Sequence, residues 1–244
     1  MFRILNWLKR KVDLIRFRRK YPKVMIVKPL TTGTYYSQEG QDLYLSALLF
    51  DSIRSGFGSY VIDVGCNHPE KFSNSFFFEK ILRCKTIAID PIEEYRILWK
   101  ELRPEANFIA TALGNVACTV TLNIPEGNAV YNDMFSTIGE INAKAGDIEY
   151  SQRDVPCVTL ASILDENQVK EVLLVSIDVE GLEMSVLEGI NFERVFIKCF
   201  VIENNSKNLL GSDDIRVFLQ SKGYVFVSRI GYYDDVFLHR SSVE

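Results

Sequence analysis

Acidic and amide side chains stand at the ends of the apolar segments of this sequence that are typical of buried strands. Five such residues follow one another along the chain: Asp63, Asp90, Asp178, Glu203 and Asn204. Because the carboxyl ends of parallel strands meet at one edge of a sheet, we expect these side chains to line one site. Carboxylates accept hydrogen bonds from hydroxyls and attract positive charge, so the site suits a ligand that carries both.

A single glycine, Gly65, follows the first of these strands in "VIDVGCNHPEKFSNS". A glycine turn lets the backbone approach a ligand closely, but the chain has neither G-x-G-x-x-G nor G-x-x-x-x-G-K-[ST], which cradle phosphates. The row of acids would also repel a phosphate-rich ligand unless a metal ion lay between them. The combination favours a cofactor with ribose hydroxyls, an amino acid end and a positive sulfonium, which is S-adenosylmethionine.

We expect the cofactor to lie along the ends of the first three strands. Asp63 and Gly65 would form the turn around its amino acid end, and Asp90, 27 residues after Asp63, would accept from both ribose hydroxyls. The same carboxylate occurs in NAD sites, so Asp90 does not decide between the two cofactors. The complete predicted cofactor set is Gln38, Asp63, Gly65, Cys66, Asn67, Asp90, Pro91, Thr111, Ala112, Leu113 and Asp178.

Several polar residues of this set also have a structural interpretation. Gln38, in "YSQEGQD", either covers the cofactor with Ser37 and Gln41 or caps the helix that follows. The residues 73–75, "SNS", either cap the next helix or bind near the cofactor. Asp63 has the same alternative as a helix cap, with Gly65 as a structural glycine.

S-adenosylmethionine donates a methyl group, and a hydroxyl acceptor, which the family resemblance described below implies, needs a base or a metal that removes its proton. The predicted candidates for the base are His68, Asp178, Glu180 and Glu203. His68 follows the glycine turn directly, where it either reaches the acceptor or stabilises its own loop. Glu183 is a weaker candidate, since acids are favoured in the first turn of a helix in any case.

A divalent cation is a second way to activate the acceptor. Asp178, Glu203 and Asn204 carry the oxygen ligands that Mg²⁺ prefers, and they stand at the ends of two strands that are neighbours in the usual sheet order. The sequence therefore predicts a possible magnesium site made of these three residues.

Strands and helices alternate from residue 59 to residue 222, which predicts an α/β, Rossmann-like, doubly wound sheet. We expect seven strands, mostly parallel, with an antiparallel last strand. One stretch breaks the pattern, because residues 126–154 are polar and irregular. We expect it to be an acceptor-side insertion whose lining includes Tyr131, Asn132, Asp133, Met134 and Ser136.

Length and composition are those of one globular domain. The chain has 244 residues, 47% of them hydrophobic and 25% charged. Its five cysteines are scattered without a C-x-x-C pair, which excludes a zinc motif of that kind and indicates a reduced, cytoplasmic protein.

The N-terminal segment differs from the rest in charge. Residues 1–23 carry nine Lys or Arg and one Asp, a net charge of +8 within a chain of net charge −4. Ile4, Leu5, Leu8, Val12 and Ile15 recur at helical spacing. We expect residues 1–28 to be a basic amphipathic helix that either binds an anionic inner membrane surface or packs on the single domain 29–244. Nucleic acid is not an expected partner, because the remainder is acidic.

Five ordered blocks of the sequence resemble the FkbM-like family of S-adenosylmethionine-dependent methyltransferases: "VIDVGCNHPEKFSNS", "IAIDP", "RPEANFIATALGN", "VTLASILDE" and "VSIDVEGLEMSVLEG". The resemblance covers roughly residues 35–240. It implies the class I methyltransferase fold and the methylation of hydroxyl oxygens on sugars, lipids or natural products. The acceptor is then a small molecule, a glycan or a lipid-linked sugar.

Two other classes of function remain open on the sequence alone. A nucleotide-binding oxidoreductase is disfavoured by the single-glycine turn. A non-catalytic methyltransferase-like binding domain is disfavoured because every strand-end acid is present.

Overall fold

The computed structural model describes residues 13–28, 35–56, 58–126, 136–138, 149–204, 212–231 and 233–243. Within these ranges the chain forms twelve strands in two sheets and eight α-helices. The main sheet consists of β1 (Met25–Val27), β2 (Tyr60–Val64), β3 (Lys85–Asp90), β4 (Asn107–Ala110), β9 (Glu171–Ile177), β10 (Phe196–Glu203), β11 (Tyr224–Ile230) and β12 (Asp234–His239).

The main sheet is mixed but mostly parallel, and its order is β1-β11-β12-β10-β9-β2-β3-β4. Only β12 runs antiparallel to both of its neighbours. The predicted antiparallel last strand is therefore confirmed, whereas the predicted count of seven strands is wrong. The eighth strand, β1, adds to the edge of β11 and is only three residues long, too short for a periodic signal in the sequence.

The strand order reverses between β2 and β9. From β2 the chain winds outward through β3 and β4 on one side, and from β9 it winds through β10 on the other side. A crevice forms beyond the carboxyl ends of the strands at such a reversal, and it is the usual ligand position in open α/β sheets.

The helices pack on both faces of the main sheet. Val61 and Ile62 of β2 are fully buried and belong to different apolar clusters, as expected for a strand covered on both sides. The helices are α1 (residues 13–20), α2 (Gln41–Leu48), α3 (Phe50–Arg54), α4 (Phe76–Lys80), α5 (Tyr95–Leu102), α6 (Leu160–Glu166), α7 (Glu183–Glu188) and α8 (Asp213–Ser221).

A second sheet of four strands covers one end of the crevice. It has the order β5-β8-β6-β7 and consists of β5 (Ala112–Leu113), β6 (Cys118–Pro125), β7 (Thr137–Ile138) and β8 (Tyr150–Val158). The apolar segment "ANFIATALG" is thus divided between the two sheets, with β4 in the main sheet and β5 in the second. The chain turns at Thr111, whose hydroxyl donates to the carbonyl of Pro156 at 2.9 Å.

The stretch expected to be irregular is partly regular. Residues 150–154 belong to β8, which pairs antiparallel with β6 over its whole length, so the irregular bounds 126–154 are wrong at their C-terminal end. Ser136 is described, but Tyr131, Asn132, Asp133 and Met134 lie outside the described residues.

The N-terminal helix α1 packs on the domain. The ring of Phe17 is fully buried and lies edge-on to Phe226 at 6.1 Å between centroids. Asp213 forms an ion pair with Lys20 and accepts a hydrogen bond from the Tyr21 hydroxyl. Residues 13–21 therefore pack on the domain, which was one of the two interpretations of the N-terminal segment.

The predicted apolar stripe of the N-terminal segment is described only in part. Ile4, Leu5, Leu8 and Val12 lie outside the described residues, and Ile15 is exposed. None of the helices in the described ranges has the length and the apolar character that a membrane crossing requires.

Candidate active site

A cavity of about 400 Å³ lies beyond the carboxyl ends of β2, β3, β9 and β10. This position is the one that the reversal of strand order predicts for a ligand, and the volume is in the range of small-molecule sites. The second sheet contributes Leu122 and Ile138 to the lining, and the loop before β7 contributes Ser136. A smaller pocket adjoins the cavity and shares Gln38, Gly65 and other residues with it.

Gly65 makes the turn at the end of β2. Its φ is +76°, and its N–H donates to the carbonyl of Ile89 at 2.9 Å. A Cβ at this position would lie 1.7 Å from the carbonyl oxygen of Asp178, so no other residue fits without moving the loop after β9. The close approach of these two strand ends leaves bare backbone facing the cavity.

Asp90 ends β3 with both carboxylate oxygens fixed. Its Oδ2 accepts from the N–H of Asn67 at 3.0 Å and its Oδ1 from the N–H of Ile92 at 2.9 Å. The turn at Asn67, with φ of +44°, brings its amide to this carboxylate. Asp90, Asn67 and Pro91 all line the cavity. A carboxylate oxygen can accept more than one hydrogen bond, so a ligand hydroxyl is a suitable donor for this group.

Asp63 lies behind the glycine turn and lines the smaller pocket. It accepts a hydrogen bond from the hydroxyl of Ser75, and burial raises the pKa of its carboxyl group. The guanidinium of Arg103 donates to the same Ser75 hydroxyl at 3.0 Å. Cys66 lines this pocket too, and burial raises the pKa of its thiol well above the usual value, which keeps it protonated.

Asn74 lies where the cavity and the smaller pocket meet. Its Nδ2 donates to the hydroxyl of Ser176 at 2.9 Å, whereas its Oδ1 is buried without a hydrogen-bond partner among the described residues. A buried acceptor is normally satisfied, so an orphan acceptor at a cavity wall indicates a missing donor. For Ser73 and Ser75 the structural interpretation applies, since they bond to the backbone of Phe76 and to Asp63.

The segment before α2 forms another wall. Gln38 is exposed and lines the cavity, as does Gln41, whose Nε2 donates to Asp234 at 2.8 Å. Ser37 instead has a capping role, because its hydroxyl accepts from the backbone N–H of Asp42, in the first turn of α2, at 3.2 Å. Gln38 and Gln41 therefore have the position of residues that cover a ligand, whereas Ser37 caps the helix.

Residues 111–113 form the wall below the second sheet. All three line the cavity, and the N–H of Thr111 donates to the carbonyl of Asp90 at 3.1 Å. The side chain of Ala112 is apolar and that of Leu113 is buried. This wall is therefore largely apolar beside the fixed Asp90 carboxylate.

Four carboxyl groups meet at the ends of β9, β10 and β12. Asp178 is open to the cavity but crowded by protein on its other sides, and burial together with Glu183 raises its pKa to about 6. Burial and Asp178 raise the pKa of Glu180 to about 7 and that of Glu203 to about 9. Burial raises the pKa of Asp234 to about 7. At neutral pH the four carboxyl groups are therefore only partly ionised.

The position of Asp234 follows from strand pairing. Asp234 begins the antiparallel strand β12 directly opposite Glu203, the last residue of β10. Like charges directly opposite in an antiparallel pair are destabilising. Both residues line the cavity, and their raised pKa values reduce this cost because at neutral pH Glu203 is protonated.

The loop after β9 is held in a strained conformation. Glu180 has a φ of +53°, which is unusual for a residue with a side chain. The carboxylate of Glu183 accepts from the N–H of Gly181 at 2.9 Å and of Val179 at 3.3 Å. Glu183 is therefore a positioning residue, and the lining of the cavity includes Glu180 but not Glu183.

Two of the predicted site residues, His68 and Asn204, line neither the cavity nor the smaller pocket. The Nδ1 atom of His68 accepts from the backbone N–H groups of Glu70 and Lys71, both at 3.1 Å, and the ring stabilises its own loop. The Oδ1 atom of Asn204 accepts from the N–H of Ser212 at 2.6 Å, and its Nδ2 donates to Asp235 at 2.7 Å. Neither residue lines the cavity.

The structure does not support the predicted magnesium site. The carbonyl oxygen of Asn204 faces the backbone of Ser212, so it does not join Asp178 and Glu203. Within the described ranges, no group of three or more His, Cys, Asp or Glu side chains is arranged to hold a metal ion.

Sequence reasoning missed Glu39 and Asp234, which both line the cavity. Glu39 stands in the segment already expected to cover the cofactor, where the prediction named only hydroxyl and amide side chains. Asp234 is the first residue of an antiparallel strand, and the start of such a strand lies at the same edge as the carboxyl ends of its parallel neighbours. This relation is the signal that would have found it.

Comparison with known proteins adds a family to this geometry. A model of the methyltransferase FkbM domain matches residues 63–226, which is more than half of the chain and lies within the extent of the resemblance seen in the sequence. Neither curated proteins nor solved structures gave a match. The matched range includes the glycine turn of Gly65, the carboxylate of Asp90 and the acids that end β9 and β10. The chain therefore belongs to the methyltransferase FkbM domain family.

Proposed function

We propose that this protein is an S-adenosylmethionine-dependent methyltransferase that methylates a hydroxyl oxygen of a sugar, a glycan or a lipid-linked saccharide. Its membership in a methyltransferase family makes methyl transfer the starting point. The observation that carries the proposal is the shape of the cavity, with a bare glycine turn beside a fixed carboxylate at one end and titratable acids at the other.

The cofactor end of the cavity fits S-adenosylmethionine. The Asp90 carboxylate at the cavity wall suits the two ribose hydroxyls, and residues 111–113 offer a largely apolar wall for the adenine. The orphan Oδ1 atom of Asn74 accepts from the ammonium of the amino acid end, which would lie over Gly65. The three features are independent of each other, and each matches one part of the same molecule.

A dinucleotide fits the cavity poorly. The residues that line it within the described ranges include six carboxyl side chains and neither Lys, Arg nor His. A pyrophosphate would meet repulsion there without a compensating cation. The single glycine of the turn points in the same direction.

The acids at the other end supply the base. The bound cofactor supplies an electrophilic methyl group, and the protein must remove the proton of the acceptor hydroxyl. Asp178 and Glu180, with pKa values of about 6 and 7, titrate close to neutral pH, where a general base works best. Glu203, with a pKa of about 9, holds the proton of the group and hydrogen-bonds to Asp178.

Calorimetric titration with S-adenosylhomocysteine tests this proposal, with NADH as the competing ligand and with and without magnesium. We expect binding of S-adenosylhomocysteine alone, unchanged by magnesium. Gly65→Ala should abolish it, since the added Cβ would lie 1.7 Å from the Asp178 carbonyl. The control is Glu166→Gln, at the exposed C-terminal end of α6. Binding of NADH, or no binding of either ligand, would contradict the proposal.

We also propose that the basic N-terminal segment binds an anionic membrane surface. In α1 the buried face contains Phe17, whereas Ile15, Arg16, Arg18 and Arg19 are exposed on the other side. A helix docked by one face presents the other to solvent, and an exposed basic face with an apolar residue suits anionic headgroups.

Co-sedimentation with phosphatidylglycerol vesicles tests this second proposal. The variant Arg18→Glu with Arg19→Glu should release the protein at low salt, while Glu166→Gln should not. Deletion of residues 1–30 is a poor test, because it removes the fully buried Phe17 and the edge strand β1. Equal sedimentation of the charge variant and the control would remove the proposal.

A further inference from the structure

Two exposed aromatic residues line the cavity. Among the described residues, the exposed large apolar side chains include three aromatic ones: Phe50 (58% exposed), Phe72 (46%) and Tyr233 (44%). Phe72 and Tyr233 line the cavity, whereas Phe50, the first residue of α3, does not. An exposed aromatic side chain leaves a large apolar area in water, so two of them at one cavity indicate a ligand that covers them.

The backbone of Phe72 is held in a strained conformation. Its φ is +59°, which is rare for a residue with a bulky side chain. Ser37, which is buried, fixes the position of Phe72 by pairing with it in a parallel bridge. Glycine would adopt the same φ without strain, so the turn itself does not need a phenylalanine. Such strain is concentrated at functional sites, which indicates a function for the ring.

The segment before α2 connects the two aromatic residues. It pairs with Phe72 through Ser37 at one end. At the other end the side chain of Gln41 donates to the carboxylate of Asp234, the neighbour of Tyr233 in the chain. Gln41 lines the cavity as well. Phe72 and Tyr233 therefore stand at the two ends of one wall of the cavity.

The cavity combines these aromatic residues with oxygen acceptors, which include the carboxyl groups of Asp178 and Glu203. A pyranose ring has a surface for each of them. Its hydroxyls lie around the edge and donate to carboxylates, and the C–H groups of one face cover an aromatic ring, whose π face is negative. An open-chain polyol carries similar hydroxyls but has no continuous apolar face. The composition of the cavity therefore suits a ring sugar.

We propose that Phe72 and Tyr233 bind the apolar face of the sugar ring whose hydroxyl is methylated. This inference rests on the function proposed above and narrows its acceptor to a pyranose, in preference to an open-chain polyol. Contact with the two side chains fixes the tilt of the sugar ring, so that one hydroxyl faces the methyl group, as in-line transfer requires. Phe72 and Tyr233 thus determine specificity and take no part in the proton transfer.

The test measures binding to the whole protein saturated with S-adenosylhomocysteine. The methyl pyranosides of glucose, galactose, mannose and fucose are compared with sorbitol by saturation-transfer NMR, in which the aromatic protons of the protein are saturated. We expect at least one pyranoside to bind at least about tenfold more tightly than sorbitol. Its C–H protons on one ring face should receive the strongest saturation.

Matched variants assign the effect to the two aromatic rings. Phe72→Leu and Tyr233→Leu keep an apolar side chain without the ring, and each should weaken binding of that pyranoside about 3- to 10-fold. Phe72→Tyr keeps the ring and should bind it within about twofold of the parent protein. Phe50→Leu is the control, because it makes the same change at an exposed phenylalanine away from the cavity. All four variants should bind S-adenosylhomocysteine like the parent protein, which also shows that they are folded.

Four results would overturn the inference. Two concern the ligands: equal binding of the pyranosides and sorbitol, or no binding of any of them to the saturated protein. Two concern the variants: equal binding by Phe72→Leu and Phe50→Leu, or weaker binding of S-adenosylhomocysteine by Phe72→Leu, which would assign Phe72 to the cofactor. A failure of the proposed function is distinct, since the parent protein would then not bind S-adenosylhomocysteine.

Discussion

Asp234 and Asp235 follow each other in β12, and their side chains lie on opposite faces of the sheet because successive residues of a strand alternate. Asp235 is fully buried, stands opposite Arg229 of β11 and binds both Arg229 and Arg216. Asp234 stands opposite Glu203 of β10 and has one neutral donor, Gln41. Two identical side chains thus have contrasting surroundings.

The difference separates structural from functional acids. A buried carboxylate with two guanidinium partners is satisfied by the fold and leaves nothing for a ligand. A carboxylate that faces another carboxylate costs stability, and such a cost persists where function needs it. The pKa values follow the same division, because burial raises that of Asp234 to about 7. The acids of the cavity are therefore the ones that a ligand can use.

We expect the largest effect from a variant that removes an arginine partner of Asp235. Arg229→Met leaves Asp235 buried with one cation fewer, and removal of one partner from a buried ion pair costs about 3–5 kcal/mol. Urea denaturation measures the free energy of unfolding. Arg194→Met is the control, since Arg194 forms an exposed pair with Asp165 and such pairs contribute about 0–1 kcal/mol. Equal losses in the two variants would contradict the account of Asp235.

We expect a smaller effect at Asp90. Its surroundings are intermediate between those of Asp235 and Asp234, because its hydrogen bonds come from backbone amides and not from arginines. Asp90→Asn places an NH₂ group against the N–H of Asn67 or Ile92 and removes the charge that a ribose hydroxyl would meet. We expect S-adenosylhomocysteine to bind about 10- to 100-fold more weakly, as for a hydrogen bond to a charged group. Titration calorimetry measures it, and an unchanged affinity would mean that the ribose lies elsewhere.

We expect the smallest effect, a gain in stability, from a variant that removes the carboxyl group of Glu203, which faces Asp234. The pKa of Glu203 is raised in the folded protein to about 9, so its contribution to stability is complete below the unfolded pKa and is lost as the pH rises toward 9. Asp178, Glu180 and Asp234 act in the same direction up to about pH 6 to 7. We expect the melting temperature to fall between pH 5 and pH 9.

Glu203→Gln should reduce this fall and raise the melting temperature at pH 8 by roughly 2–4 °C, the shift that about 1 kcal/mol produces in a chain of this size. Thermal denaturation monitored by circular dichroism checks it, with Glu166→Gln as the control. A variant that is less stable than the parent protein at pH 8 would show that Glu203 is a structural residue.

The sequence predicted the parts of the site that depend on strand ends. The turn at Gly65 and the carboxylates of Asp90, Asp178 and Glu203 all lie where alternating strands and helices require them to lie. The family resemblance was confirmed over residues 63–226. These features are local in the sequence, and the sheet brings them together by a general rule.

The remainder depends on tertiary pairing. The dipeptide Asp234-Asp235 gives opposite faces by alternation, but only the neighbouring strands decide which carboxylate meets Arg229 and which meets Glu203. The same holds for Asn204, whose bonds to Ser212 and Asp235 no sequence pattern announces. The strand β8 was missed because its partner, β6, is separated from it by 24 residues.

The central claim is that the acids of the cavity, Asp178, Glu180 and Asp234, lie close to the methyl group that is transferred. Titration calorimetry with S-adenosylmethionine and with S-adenosylhomocysteine at pH 7, in buffers of different ionisation enthalpy, measures the protons that each ligand releases. The account predicts a larger proton release with S-adenosylmethionine, because only its sulfonium favours the charged forms of Asp178, Glu180 and Asp234. Equal proton release with the two ligands would contradict it, since the acids would then lie away from the transferred methyl group.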